Sequence, residues 1–125
     1  MTTQQQAERL IDWIHGARAF GEKRGLSNMR RMLDVLGHPE RQFKSIHVAG
    51  TNGKGSVCAL LERALRENGC RTGLYTSPYL VRYQERMRLD GVPVQDELFA
   101  RLGERVHSAA EQLLSEDIRP TSFEL

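Results

Sequence analysis

A glycine-rich stretch, placed between an apolar run and a helical pattern, constrains the fold of this chain more than any other feature. Three glycines, Gly50, Gly53 and Gly55, lie within six residues, and glycine reaches backbone conformations that a side chain would forbid. Such a turn can direct successive N–H groups at one point, and the helix that follows adds its own unpaired N–H groups. The stretch therefore predicts a loop that binds the phosphates of a nucleotide.

One cation and one hydroxyl extend this prediction. Lys54 can place its ammonium group against the outer phosphates, as a catalytic group, and Ser56 can offer its hydroxyl to a phosphate or to its magnesium. The general pattern G-x-x-x-x-G-K-[ST] is not matched, because Val48 stands at its first glycine and Gly55 at its hydroxyl position. A glycine-rich turn with a surface lysine is the alternative. The residues predicted to bind ATP are Gly50, Thr51, Asn52, Gly53, Lys54, Gly55 and Ser56.

The pattern around the loop predicts an α/β fold. Residues 45–49 and 71–76 are expected to be strands, and the helix between them, from about residue 56 to 68, repeats apolar residues at the spacing of a helix packed on a sheet. Strand, helix and strand predict two parallel strands joined by a right-handed crossover. Because nucleotides bind at the carboxyl ends of such strands, Ser77 is expected near Lys54. The expected sheet-facing residues are Val57, Leu60, Leu61, Ala64 and Leu65.

The remaining chain predicts further helices and one hairpin. Helices are expected over residues 4–20, over 27–36 with Ser27 as the N-cap and Gly37 at the end, and from residue 95 onward. Residues 86–94 are expected to form a small hairpin, or two short extended segments, that turn at Asp90-Gly91. Thr121 and Glu124 have capping-box spacing, which predicts a new helix.

Composition narrows the class of protein. The chain has 125 residues, of which 39% are hydrophobic and 27% charged, with a net charge of +2. These values are ordinary for one soluble domain and give no reason to expect nucleic acid as a partner. No apolar run reaches the length of a membrane span, and residues 1–6 lack the features of a signal peptide. We expect a cytoplasmic protein without a membrane partner.

Three motifs in order carry a family resemblance. Gly50–Ser56, Leu74–Pro78 and Arg82–Arg86 resemble the folylpolyglutamate synthase / dihydrofolate synthase family of the Mur ligase superfamily, in which lysine, glycine and hydroxyl in this order are expected. The resemblance implies a P-loop-type three-layer parallel sheet with helices on both faces, the central ATPase domain of a Mur ligase. It implies that residues 1–44 are a helical lead-in and 45–125 the start of the α/β core, with the rest of this domain and a C-terminal domain outside the chain.

The resemblance also implies an activity. The family joins L-glutamate to folate or tetrahydrofolate, and in some members to dihydropteroate. The reaction depends on ATP and Mg²⁺ and passes through an acyl phosphate, and a monovalent cation such as K⁺ can take part. The expected partners are therefore these small molecules, and the full-length protein is expected to be a monomer. The 125 residues alone are expected to be inactive, because the later glutamate and histidine motifs and the second domain are not among them.

The resemblance assigns further site residues. It implies Ser77 as a magnesium ligand and a folate or dihydropteroate site at Tyr79, Arg82, Thr121, Ser122, Phe123 and Glu124. The residues themselves leave simpler alternatives open. Ser77 before a proline is typical of a turn, Tyr79 and Arg82 also suit an ordinary solvent-facing loop, and Thr121 with Glu124 also suits a helix cap.

Two other functions compete with this one. The first is another Mur-type amino-acid ligase, which acts on a peptidoglycan precursor. The second is a non-catalytic nucleotide-binding remnant. A kinase with an ordinary P-loop fits poorly, because Gly55 displaces the hydroxyl by one position.

Overall fold

Four helices and one small sheet form the architecture of the computed structural model, which describes residues 1–17 and 25–125. The helices are α1 (Thr3–Gly16), α2 (Ser27–Leu36), α3 (Lys54–Glu67) and α4 (Asp96–Leu114), and the strands are β1 (Gly73–Tyr75), β2 (Met87–Leu89) and β3 (Val92–Pro93). Short 3₁₀ turns cover Pro39–Gln42 and Tyr83–Arg86. No helix in the described ranges is both long and apolar enough to cross a bilayer.

The chain divides into two units. The first comprises Met1–Lys44 and Glu97–Leu125, and the second comprises Ser45–Asp96. The first contains the helices α1, α2 and most of α4, and the second contains α3 and the sheet. The predicted division into a lead-in and the start of an ATP-binding core stays a prediction.

In the first unit, α1 packs closely on α4. A capping box at Thr2 and Gln5 begins α1, which satisfies two otherwise unpaired N–H groups. Leu10 is fully buried, and its Cδ1 would lie 2.8 Å from a Cβ at Gly103 of α4, so the close approach depends on that glycine. The ring of Trp13 meets His107 edge-on, with 4.6 Å between the ring centroids. The predicted helix over residues 4–20 ends at Gly16, and its predicted end lies partly outside the described residues.

A small apolar core lies between α2 and α4. Its buried members are Met32, Ala109, Ala110 and Leu113. Gly37 ends α2 in the left-handed conformation (φ +80°), as predicted. The prediction of Ser27 as the N-cap is wrong, because Ser27 is the first helical residue, and the Leu26 carbonyl accepts the Arg30 N–H at 2.8 Å.

In the second unit, three strands form an antiparallel sheet in the order β1-β2-β3. Gly73 to Tyr75 pair with Leu89 to Met87, and Arg88 and Leu89 pair with Pro93 and Val92. The turn between β2 and β3 has positive φ at Asp90 (+49°) and Gly91 (+82°), as a two-residue hairpin turn requires. The predicted hairpin is therefore confirmed.

The predicted parallel pairing is not formed. Residues 45–49 carry no strand hydrogen bonds in the described part of the chain, and β1 pairs only with β2, in the antiparallel sense. Strands joined by a crossover share a sheet without always being neighbours, and an extended segment with no neighbour makes no ladder. The apolar face expected to pack on a sheet is consequently exposed: Val57, Leu60, Leu61 and Leu65.

The last five residues form a turn rather than the predicted helix. Residues 122–124 are turn residues, and the Leu125 N–H donates to the Thr121 carbonyl at 3.2 Å. One hydrogen bond of this kind fixes several backbone dihedrals for little gain, which is why helix nucleation is unfavourable.

Candidate functional site

The glycine-rich loop runs directly into the first turn of α3. Gly50 (φ +148°) and Gly53 (φ +73°) both have positive φ, which L side chains rarely adopt. Gly53 is the N-cap, and the Val57 N–H donates to its carbonyl at 3.0 Å. The N–H groups of Lys54, Gly55 and Ser56 have no acceptor within the helix. They are therefore available, together with the positive end of the helix dipole, to an anionic ligand.

Lys54 closes this loop on itself. Its ammonium group donates a hydrogen bond to the Gly50 carbonyl oxygen, four residues earlier. Thr51, Asn52 and Ser56 are exposed, so their polar groups face solvent. The loop thus presents one cation, two side-chain hydroxyls, one amide and the first N–H groups of a helix, which is a donor set suited to phosphate.

Ser77 follows β1 in the same unit. The chain reverses between α3 and β1, and the hydroxyl of Thr72, the residue before β1, donates to Glu62 of α3 at 2.8 Å. Ser77 is exposed, and it precedes Pro78 through a cis peptide bond. Because the chain reverses, the carboxyl end of β1 leads back toward the end of α3 that carries the loop.

The donor set for magnesium is sparse in the described residues. Within 1–17 and 25–125, no group of three or more His, Cys, Asp or Glu side chains could hold a metal ion. Mg²⁺ in nucleotide sites takes few protein ligands and completes its shell with phosphate oxygens and water. An exposed Ser77 hydroxyl fits one such position, and the remaining oxygens would have to come from a nucleotide and water.

Tyr79 belongs to a cluster with Tyr83 and Arg86. The two rings lie with centroids 5.6 Å apart, and the Arg86 guanidinium carbon lies 5.4 Å from the Tyr79 centroid and 5.1 Å from the Tyr83 centroid. This is within cation–π distance. The Arg86 Nε atom is buried and has no hydrogen-bond partner in the described residues. Burial raises the pKa of the Tyr83 hydroxyl.

Arg82 is paired with a carboxylate. Its Nη2 atom lies 2.5 Å from Asp96 Oδ1, and the Gln84 side-chain amide donates to the same oxygen at 2.8 Å. The Arg82 side chain remains largely exposed. A substrate carboxylate at Arg82 would therefore share the guanidinium with Asp96.

Glu85 organises the loop that carries these residues, and sequence reasoning gave it no role. Its carboxylate accepts the N–H groups of Leu80 (3.0 Å), Val81 (3.2 Å) and Arg82 (2.8 Å). These hydrogen bonds, that from Arg82 first, hold the pKa of the Glu85 carboxyl below its ordinary value. Its position three residues after Arg82 is capping-box spacing, which is the signal that could have identified it.

The other predicted substrate residues lie in the first unit. The Glu124 carboxylate accepts the Thr121 N–H at 2.8 Å, and Asn28, which is buried, donates to the same oxygen at 3.3 Å. The Ser122 N–H donates to the Ala17 carbonyl at 2.6 Å. The Phe123 ring is 94% exposed. These contacts order a short turn with one unpacked aromatic ring at its surface.

Curated relatives match most of the chain. It is 42% identical over 114 residues to the dihydrofolate synthase/folylpolyglutamate synthase of Bacillus subtilis. The aligned region covers 90% of this chain and 26% of that relative. It is 34% identical over 116 residues to the folylpolyglutamate synthase of Lacticaseibacillus casei, with 91% and 27% covered. The chain thus spans about a quarter of the length of these relatives. No protein-family model matches it.

Solved structures share the fold. A folylpolyglutamate synthase from Thermotoga maritima superposes with a TM-score of 0.89 at 30% identity, over 98% of this chain and 28% of that one. A folylpolyglutamate synthase in complex with AMPPCP and folate superposes with a TM-score of 0.88 at 32% identity, over 94% and 29%. These superpositions define the class, an α/β domain of the Mur ligase fold, as the sequence predicted.

Within that class, the family is specific. The chain matches folylpolyglutamate synthases and dihydrofolate synthases over nine-tenths of its length, and the family resemblance of its motifs is confirmed.

Proposed function

We propose that this chain forms the phosphate-binding part of an ATP- and magnesium-dependent ligase that adds L-glutamate to a folate. The observation that carries the proposal is the loop at the start of α3, where positive-φ glycines, helical N–H groups and Lys54 converge. The names of the relatives and the complex of one of them with AMPPCP, an analogue of ATP, and folate support the ligand classes.

The proposed reaction needs charge neutralisation more than a nucleophilic side chain. A substrate carboxylate oxygen attacks the γ-phosphorus of ATP, ADP leaves, and an acyl phosphate forms. The glutamate amine then attacks the acyl carbon, inorganic phosphate leaves with the bond electrons, and the nitrogen loses a proton. Lys54 and the N–H groups of Gly55 and Ser56 would bind the phosphate oxygens on which negative charge develops.

Magnesium and the folate complete the proposal. Ser77 would supply one ligand to a Mg²⁺ ion that neutralises charge on the phosphate oxygens. Tyr79 and Arg82 would contact the folate, whose rings can stack on an aromatic side chain and whose carboxylates can pair with a guanidinium. The same role is proposed for Thr121, Ser122, Phe123 and Glu124. Addition of glutamate to dihydropteroate and binding of K⁺ are parts of the same proposal.

Nucleotide binding by the chain tests the role of the loop. We expect AMPPCP with Mg²⁺ to bind, and Lys54→Ala to weaken binding by about 10- to 100-fold, since a hydrogen bond to a charged group is worth about 1.5–3 kcal/mol. Lys44→Ala, which removes an exposed lysine outside the loop, is the control and should bind as the unchanged chain does. Equal binding by the Lys54 and Lys44 variants would overturn the assignment.

A second experiment tests the ligase reaction. We expect the 125 residues alone not to incorporate labelled glutamate into folate, because they span only about a quarter of the length of their relatives. Turnover by the chain alone would contradict this part of the proposal. Competition between a pterin and a UDP-linked peptidoglycan precursor separates the folate enzyme from other Mur-type ligases, and binding of the precursor alone would overturn the folate assignment.

A further inference from the structure

One carboxylate of the second unit, that of Glu62 in α3, is buried. The Glu62 side chain is 8% exposed, whereas the apolar residues on the other face of α3 are exposed. Charged side chains are rarely buried unless they are paired. Both the Arg66 Nε–H and the Thr72 hydroxyl donate to Glu62 Oε1, each at 2.8 Å, and these bonds hold the pKa of the Glu62 carboxyl below its ordinary value.

This cluster connects α3 to the sheet at two points, Glu62 with Thr72 and Arg66 with the turn at Gly91. Thr72 immediately precedes β1, and its N–H donates to Asp90 Oδ1 at 2.8 Å. Arg66 lies against the turn between β2 and β3, where a Cβ at Gly91 would be 2.8 Å from its Nη2 atom. Glu62, Arg66, Thr72, Asp90 and Gly91, here called the Glu62 cluster, therefore fix how far along its axis α3 lies against β1.

The position of α3 along β1 controls where the phosphate loop and Ser77 lie relative to each other, and these are the two segments that carry the proposed chemistry. Lys54 lies eight residues before Glu62, which is about 12 Å along a helix. Ser77 lies five residues after Thr72, which is about 17 Å along an extended chain. Because the chain reverses between α3 and β1, the loop and Ser77 lie on the same side of the Glu62 cluster. A slip of α3 along its axis by a single residue would therefore move the loop by about 1.5 Å relative to Ser77.

We propose that Glu62 is a positioning residue for the nucleotide site: through Thr72 and Arg66 it sets the distance between the phosphate loop and Ser77. This inference rests on the proposed function of those two segments. Misplacement by about 1 Å is enough to impair a site that depends on geometry. Phosphate binding by the loop alone needs only α3, whereas a magnesium ion shared between the phosphates and Ser77 needs both elements in register.

The test compares affinity for AMPPCP with and without Mg²⁺. In Glu62→Ala we expect the gain in affinity on adding Mg²⁺ to fall at least fivefold, while the affinity without Mg²⁺ stays within twofold of the unchanged chain. Glu62→Gln keeps an acceptor oxygen and should restore most of the gain. Glu67→Ala removes an exposed glutamate of the same helix that forms an ion pair with Arg63, and it should change neither quantity.

A second pair of variants covers the case in which Glu62→Ala does not fold. Thr72→Val removes the hydroxyl that reaches Glu62 but keeps the Glu62–Arg66 pair, and Thr72→Ser keeps the hydroxyl. We expect the valine variant to lose part of the magnesium-dependent gain and the serine variant to keep it. A full gain in Glu62→Ala or in Thr72→Val, or equal losses with and without Mg²⁺, would overturn the proposal.

A distance measurement separates this inference from the function on which it rests. Spin labels at Ala59→Cys and Val81→Cys, both exposed, in a chain with Cys58 and Cys70 replaced by serine, report the register without any nucleotide. We expect one narrow distance distribution, broadened by Glu62→Ala and unchanged by Glu67→Ala. If the unchanged chain binds no nucleotide, the proposed function fails, and an unaltered distribution in Glu62→Ala would independently overturn the positioning role.

Discussion

Two glycines of the phosphate loop differ in what they require of the backbone. Gly53 has a φ of +73°, whereas Gly55 lies within the first turn of α3, and no heavy atom lies within 4 Å of the Cβ that either position would gain. Space is therefore available at both positions, and only the backbone conformation distinguishes them.

This difference gives a prediction for a matched pair of variants. Gly53→Ala should lower the free energy of unfolding by about 1–2 kcal/mol, because an L residue resists the left-handed conformation. Gly55→Ala should leave it unchanged or raise it by up to about 1 kcal/mol, because alanine favours the helix. Urea unfolding measures both values. Equal destabilisation by the two variants would show that the loop does not hold Gly53 in the left-handed region.

At the residue scale, the sequence predicted the local backbone of the loop but not contacts between residues that are far apart in the chain. Lys54 and Gly53 belong to a local pattern, in which spacing along the chain determines geometry. Glu62 accepts a hydrogen bond from Thr72, and its partner Arg66 lies against Gly91. Thr72 and Gly91 are distant in sequence, and a glutamate on a helix gives no local sign that it will be buried.

Among the elements, the segment from Tyr79 to Arg86 depends on one carboxylate. Glu85 accepts three successive backbone N–H groups. These bonds lower its pKa in the folded chain, so their contribution to stability is present above the unfolded pKa and is lost as the pH falls through the lower, folded pKa.

The titration of this loop can be followed by NMR. The amide shifts of Leu80, Val81 and Arg82 should titrate with a common midpoint below the ordinary glutamate pKa of about 4.3. In Glu85→Gln that transition should disappear, while the amide of Asp90, which donates to the Thr72 carbonyl, should keep its behaviour. A midpoint at or above the ordinary value would contradict the assignment.

Helix α4 offers a second comparison between adjacent residues. Leu113 is fully buried in the apolar core of the first unit, and Leu114 is 44% exposed. Leu113→Ala should lower the free energy of unfolding by about 2–5 kcal/mol, because it removes apolar contacts and leaves a cavity. Leu114→Ala should cost less than about 1 kcal/mol. The free energies of unfolding are measured by thermal or urea unfolding. Similar losses in the two variants would contradict the orientation of α4 that buries Leu113 and exposes Leu114.

Elements with a strong local signal were predicted well, and pairing partners were not. The apolar residues repeated at helical spacing over many turns predicted α4, and the pair Asp90-Gly91 predicted the hairpin. Residues 45–49 have the composition of a strand, but a strand needs a neighbour with free N–H and C=O groups, and nothing in five residues specifies that neighbour. For the same reason, the apolar face of α3 that was predicted to pack on a sheet is exposed.

For the whole molecule, the exposed apolar face of α3 is expected to promote association between chains. Leu60 is 72% exposed, and Val57, Leu61 and Leu65 beside it are also exposed, so the face is a contiguous apolar surface of the kind that promotes association. Leu60→Glu should reduce concentration-dependent light scattering with little change in unfolding free energy. Ala59→Glu makes the same charge change at an exposed neighbour outside the predicted apolar face. Equal effects of the two variants would attribute the change to charge alone.

The two units also differ in the aromatic residues that report on their unfolding. Trp13 is the only tryptophan of the sequence, and it lies in the first unit, against His107. All three tyrosines, Tyr75, Tyr79 and Tyr83, lie in the second. Tryptophan emission will therefore follow the melting of the helices in the first unit, whereas tyrosine absorbance will follow the unit that carries the phosphate loop. The unaltered chain thus contains a separate optical reporter for each half, and their midpoints will coincide only if the two halves unfold together.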